Sequence, residues 1–412
     1  FKQKTAYEIR LSLVGSEMCI RDRLSRAVRL AVWGSELSPY TLKLRALLAA
    51  AALPHRLLPA QGGRWENLHA LYLIERGKRR RSIERWPAAD PLDEYPLVPF
   101  LLVDERRVLY DSSALALWLD RVHPPAAGPL VPEDAALAFV VRLLDEAFDE
   151  LGLYLVHHAR WVTSAATNDA GARLGREFAA LLPPGGQAVM ARRFARRQVR
   201  RLPYLFSVAA ADLALPGLPP ELTPPARAGF PPTHALLDDL RATLLATVEP
   251  LLAAQPFLLG ERFTLADASL YGQLGMNLKD PTAAEDMRRV APTTFRWLCR
   301  VRDDGHAASR GALVLSDRLR PLLELVDRTF VPLMAQNESA YEHLRAAGET
   351  RFNEWAFDHG RALYDGTLLG VPFRAVAKTF QVRVWRDLRA AWTALDADAR
   401  GRVRRVLPTE LR

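Results

Sequence analysis

Residues 33–45 read WGSELSPYTLKLR. The stretch follows the short apolar run VRLAVW (28–33), turns at Gly34 and opens a helix at Ser38-Pro39. The run is β-branched and aromatic and bounded by glycine, which predicts a strand. Leu44, Leu47, Leu48 and Ala51 recur at i, i+3, i+4 and i+7, one apolar face of a helix over 39–52 that Pro54 ends. The local sequence leaves two roles open for Ser38. Serine before proline is a common helix cap. A hydroxyl at a helix N-terminus is also placed to hold an anion.

Working outward, HRLLPA (55–60) is a second short strand, so the chain begins β-α-β with room for a parallel crossover. Residues 62–94 are helix-forming but carry KRRR at 78–81, and then run into the loop-like PAADPLDEYP. FLLVD and RVLYD (100–104 and 107–111) predict an antiparallel hairpin turning at Glu105-Arg106. SSALALWLDRV follows as a helix capped by Asp111 or Ser112, and prolines and glycine between 124 and 132 make a linker. Beyond it the periodicity is helical: 134–160 as one helix, 171–182, the basic 187–200, a proline-rich irregular 203–233, 234–254, a helix opening at Thr264, then 313–346, 351–364 and 373–395. The fold class expected is therefore α+β: a thioredoxin-like βαβ-ββα domain over 27–123, an all-α bundle over 134–310, and a helical extension over 311–412 packed on the bundle.

Composition narrows the function classes. At 412 residues the chain has room for two or three domains. No apolar run reaches the ~18–20 residues a membrane span needs. The formal charge of +9 attracts anions, but no nucleic-acid motif accompanies it, so no nucleic-acid partner is expected. Cys19 and Cys299 make neither a disulfide framework nor a zinc site, and a reducing, cytoplasmic setting is the expectation. Residues 1–23 lack the apolar core of a signal peptide. They resemble translated sequencing-adapter read-through and are set aside as a non-native tail.

Four motifs in order, SPYTLKLR after the first strand, LVPF before the third, DSSAL at the third helix and FTLADASL in the bundle, resemble the cytosolic glutathione S-transferase family, Ser-type. The resemblance implies an enzyme that transfers glutathione to a small hydrophobic electrophile. Glutathione is then a co-substrate, with no metal and a homodimeric assembly. Ser38 would stabilise the glutathione thiolate. Val98 and Pro99, at the family's cis-proline, would hold the cysteinyl backbone. Asp111 would pair the γ-glutamyl ammonium and the Ser112 hydroxyl its carboxylate. Tyr40 and Ser35 are alternative hydroxyls to Ser38. Tyr40, Tyr154, His157 and Trp161 are the candidates for the electrophile pocket, and Lys78, Arg79, Arg80 and Arg81 for the glycine end. Thr264 and Asp267 read as a capping box that serves the fold alone. The long 62–94 segment and the extension beyond 310 depart from the family. They favour the alternative of a glutathione-transferase fold used for binding or assembly without catalysis, which a filled cleft would support.

Overall fold

Strands β1 (Leu30–Trp33) and β2 (His55–Leu58) flank helix α1 (Pro39–Ala50), and α2 (Arg64–Arg80) follows. The chain then makes β3 (Phe100–Val103), β4 (Arg107–Tyr110) and α3 (Ser112–Val122). The structure is a computed structural model that describes residues 28–85, 90–93, 97–215 and 217–408; the tail expected at 1–23 lies outside the described residues. The sheet order is β2-β1-β3-β4, with β1 and β2 parallel and the other two pairings antiparallel. The helical crossover through α1 permits the parallel pair. The β3–β4 hairpin turns one residue earlier than expected. Asp104 and Glu105 take φ of 51° and 56°, and Arg106 N donates to Val103 O at 3.1 Å, the left-handed pair that suits a twisted two-residue hairpin.

Strand alternation divides the two faces. Leu30, Val32, Leu57, Leu101, Val103 and Leu109 pack with α1 and α3 into the main core, while Trp33, Leu58, Phe100, Leu102 and Val108 meet Ala70 and Ile74 of α2. Register then fixes what lies at each end of the sheet. Trp33, Phe100 and Tyr110 stand opposite one another in a single row. The chain leaves β1, enters β3 and leaves β4 at that same end. Ser38, Val98-Pro99 and Asp111 therefore lie beyond one edge, and the Val98–Pro99 bond is cis.

The helical part comprises α4 (Ala135–Ala147), α5 (Leu153–His158), α6 (Ala170–Glu177), α7 (Gly186–Arg200), α8 (His234–Ala254), α9 (Leu265–Gly275), α10 (Pro281–Val290) and α11 (Pro292–Arg302). The helix expected over 134–160 runs without a non-helical break but contains π turns at Phe148–Gly152 and Ala159–Thr163. At the head of α9, Asp267 accepts from Thr264 N at 2.9 Å and from Leu258 N at 2.8 Å, so the FTLAD motif caps a helix and ties down the preceding loop. Burial pushes the Asp267 carboxyl up to about 6 against those hydrogen bonds.

The extension corrects the all-helical expectation. After α12 (Arg320–Ala346) and a short α13 (Glu354–Asp358) come β5 (Leu363–Leu368) and β6 (Val371–Val376), an antiparallel hairpin, and then α14 (Thr379–Ala394) and α15 (Ala397–Arg404). Leu369 and Gly370, at φ 51° and 80°, turn the hairpin, and Leu368, Phe373 and Val376 are buried. Residues expected as helix at 363–364 and 373–376 are therefore strand. One continuous core runs from Leu30 through the bundle to Leu407. Phe139 of α4 meets Trp392 of α14 with ring centroids 5.3 Å apart, so the extension shares that core.

Candidate functional site

Ser38 caps α1: its side chain accepts from Thr41 N at 3.4 Å. Capping uses a lone pair of the hydroxyl oxygen and leaves the O–H to donate elsewhere. The two roles left open by the sequence are thus compatible. The turn before it is held from the bundle. Arg160, fully enclosed in the second π turn, donates from Nη1 to Leu37 O at 2.8 Å and from Nε to Asp280 at 2.8 Å. Glu177, at the end of α6, accepts from Glu36 N at 3.2 Å. Burial raises the Glu177 carboxyl, opposed by hydrogen bonds from Ser35 and the Glu36 backbone. A guanidinium and a carboxylate of the bundle therefore bracket the Ser38 turn.

At the third strand end Val98 is exposed and Pro99 is buried. Among the described residues Val98 has no backbone hydrogen-bond partner. At the fourth, Asp111 takes φ 72° and caps α3, its Oδ1 accepting from Ser113 N at 3.1 Å and Ala114 N at 3.2 Å. Its Oδ2 accepts from Arg85 Nε at 2.8 Å. Ser112 is buried. Sequence reasoning did not single out Arg85, and no periodicity in that segment marks it. It is brought there because Glu84 pairs alongside Leu109, with Glu84 N donating to Val108 O at 2.8 Å and Tyr110 N to Glu84 O at 3.1 Å.

Beneath the site lies a buried charge cluster. Lys43 Nζ is 2.6 Å from both Asp145 Oδ1 and Asp149 Oδ2 and 2.7 Å from Ser113 Oγ. Burial works to lower the Lys43 pKa, but the two carboxylates outweigh it and the ammonium is held. One cation cannot balance two anions. Burial accordingly pushes Asp149 up to about 6 despite Lys43.

Of the four candidates for an electrophile pocket, His157 and Trp161 meet with ring centroids 6.3 Å apart. Tyr40 donates its hydroxyl to Asp149 O at 3.0 Å. The Tyr154 hydroxyl accepts from Lys378 Nζ at 2.6 Å and Gln381 Nε2 at 2.9 Å, both in the extension, and its ring stacks on Phe206. His157 is 3.1 Å from Gln198 Oε1, and burial pushes its pKa down to about 3. Trp161 packs with Leu37, Val199 and Leu202. It supports the residue before Ser38 from behind. Of the KRRR run, Lys78 lies over the Phe100 ring at 5.3 Å, close to the row that ends the sheet, whereas Arg79, Arg80 and Arg81 are exposed.

Crevices elsewhere include one lined by Glu36, Arg45, Tyr271, Lys279 and Arg302 and another lined by Phe148, Leu151, Leu244 and Val326. Ser38, Val98 and Asp111 line neither. Among the described residues no group of three or more His, Cys, Asp or Glu side chains is placed to hold a metal ion, and no helix is long and apolar enough to cross a membrane.

No protein-family model matches the chain, and no curated protein matches it. Solved structures similar to it include a glutathione S-transferase of Ceriporiopsis subvermispora in complex with glutathione, at 17% identity and TM-score 0.39, covering 67% of this chain and 97% of that one. Beta-etherase LigF from Sphingobium sp. strain SYK-6 is similar at 17% identity and TM-score 0.38, covering 66% and 94%. Maleylacetoacetate isomerase from Anaeromyxobacter dehalogenans 2CP-1, with bound GSH, is similar at 20% identity and TM-score 0.28, covering 68% and 97%. Scores and identities this low leave the architecture to rest on its own strand order and connections.

Proposed function

We propose that this chain binds glutathione across the sheet end beyond Trp33, Phe100 and Tyr110 and transfers it to a small apolar electrophile. The observation that carries the reading is the register row itself. It brings two helix N-termini, α1 and α3, and one open backbone segment to the same edge. A tripeptide with an anionic sulfur and a zwitterionic end needs those three features together. Val98 would pair the cysteinyl backbone as an added strand, with Pro99 fixing the segment. Asp111 and Ser112, at the head of α3, would receive the γ-glutamyl end.

The chemistry asked of Ser38 is modest. A free thiol with a pKa near ~8.5 is only a few per cent thiolate at neutral pH. The Ser38 O–H and the N-terminus of α1 would both stabilise the charged sulfur. The thiolate then attacks an electrophilic carbon, forming a C–S bond; the thiol proton passes to water and the leaving group departs with its electron pair. Trp161 would shape the site through Leu37 and His157 through Trp161, and Tyr40 and Tyr154 through the bundle wall. A homodimer and a cytoplasmic location belong to the same reading. Calorimetric titration with glutathione, and mass-spectrometric detection of a thioether after adding an aryl halide, test it. Binding with thioether formation is expected, and absence of binding would sink it.

A second reading, a glutathione-transferase fold used for binding or assembly without catalysis, is favoured by one observation. The Asp111 carboxylate is already held by Arg85. Binding without any thioether would select it.

A further inference from the structure

Both oxygens of the Asp111 carboxylate are engaged by this chain. Oδ1 is used by the backbone of α3 and Oδ2 by Arg85. Arg85 does not stand alone. Its Nη1 is 3.7 Å from Asp93 Oδ2, and Asp93 Oδ1 is 2.5 Å from Arg383 Nε of α14. Arg383 also pairs with Asp387 at 2.6 Å and lies over the Phe380 ring. The chain of charges thus runs Asp111, Arg85, Asp93, Arg383, from the head of α3 through the 62–94 segment to the C-terminal extension. The four side chains are 11%, 9%, 4% and 10% exposed. Ion pairs so shielded from water are little screened, and breaking one leaves a buried charge without its partner.

We propose that Arg85 is a specificity-determining residue that occupies, from within the chain, the place at Asp111 that a ligand ammonium would take, with Arg383 as its positioning residue through Asp93. The proposal rests on the glutathione reading above. Its consequence is a ligand end recognised by its carboxylate more than by its amine. A guanidinium already neutralises Asp111, so an incoming ammonium gains little there. The ligand carboxylate keeps the Ser112 hydroxyl and the N-terminus of α3. The C-terminal extension thereby acts on ligand choice without lining the sulfur site.

The test compares glutathione with its des-amino analogue, glutaryl-cysteinyl-glycine, by calorimetry on the full chain. The wild type is expected to bind the two within about threefold. Arg85→Met should raise the preference for glutathione by about tenfold, the scale of one charge-assisted hydrogen bond. Arg85→Lys, which keeps a cation at Asp111, should restore the wild-type ratio. Arg383→Met should move the ratio the same way as Arg85→Met by a smaller factor. It serves as the probe if Arg85→Met loses its folded circular dichroism. A wild type that already prefers glutathione by tenfold or more, with neither variant changing the ratio, overturns it and leaves the glutathione reading standing. Failure of every variant to bind either compound overturns both.

Discussion

Lys43 Nζ lies 2.7 Å from Ser113 Oγ. Lys43 is five residues past Ser38 on α1, and Ser113 is two past Asp111 on α3. The contact joins the two helices whose N-termini face the candidate site. The same ammonium binds Asp145 and Asp149 of the bundle, so one buried cation sets the sheet domain against the helical domain. Close backbone approach supports the seam. A Cβ added at Gly272 of α9 would come 2.6 Å from Pro39 O, so α1 and α9 meet where glycine alone leaves room.

Lys43→Met should destabilise the fold by about 3–5 kcal/mol, because it strands two buried carboxylates. Adding Asp145→Asn and Asp149→Asn should recover a large part of that loss. Urea unfolding of the single and triple variants measures both. A single variant within about 0.5 kcal/mol of wild type, the range of an ordinary surface change, would contradict the seam as described.

Glu177 presents a carboxylate to the turn that precedes Ser38. A negative charge there opposes a thiolate at the same turn. Glu177→Gln should therefore lower the pKa of bound glutathione by about one unit or less. Ultraviolet thiolate absorbance of the complex at fixed pH reads the change. An unchanged or smaller thiolate fraction would place Glu177 outside the electrostatics of the sulfur site.

His157 is buried neutral, its pKa pushed down to about 3 chiefly by burial. Unfolded histidine titrates near ~6.5, so between those values the unfolded chain binds the extra proton and stability rises with pH. The contribution is present above about pH 6.5 and lost as pH falls toward 3, reaching about 2 kcal/mol of lost stability at pH 5. His157→Gln should flatten the slope of stability against pH between 5 and 6.5. Denaturant melts across that window check it, and an unaltered slope would show that His157 does not carry it.

The sheet was legible because each of its strands is a short apolar run stopped by a turn or proline, and because α1 shows its apolar face at helical spacing. Thr264 and Asp267 were legible for the same local reason, a cap three residues from its partner. The hairpin at 363–376 was missed although Leu369-Gly370 marks its turn; short apolar runs on either side fit a helix face as well as a strand. Lys43 was passed over because a lysine beside leucines normally reaches solvent. Its burial depends on carboxylates more than 100 residues away, with sequence separations of 102 and 106. Arg85 and Arg383 are of the same kind. The pairings of Arg85 with Asp111 and of Arg383 with Asp93 depend on how residues distant in sequence dock, and only Arg383–Asp387, at i, i+4 on α14, is periodic.

The role of Ser38 is tested by a pH titration of thiolate absorbance for glutathione bound to the wild type and to Ser38→Ala. The wild type is expected to ionise the bound thiol well below its free value of ~8.5, and Ser38→Ala to bind glutathione still but return the thiol toward that value. A bound thiol that titrates identically in both proteins would contradict that role, and would leave Ser38 as the cap of α1 alone.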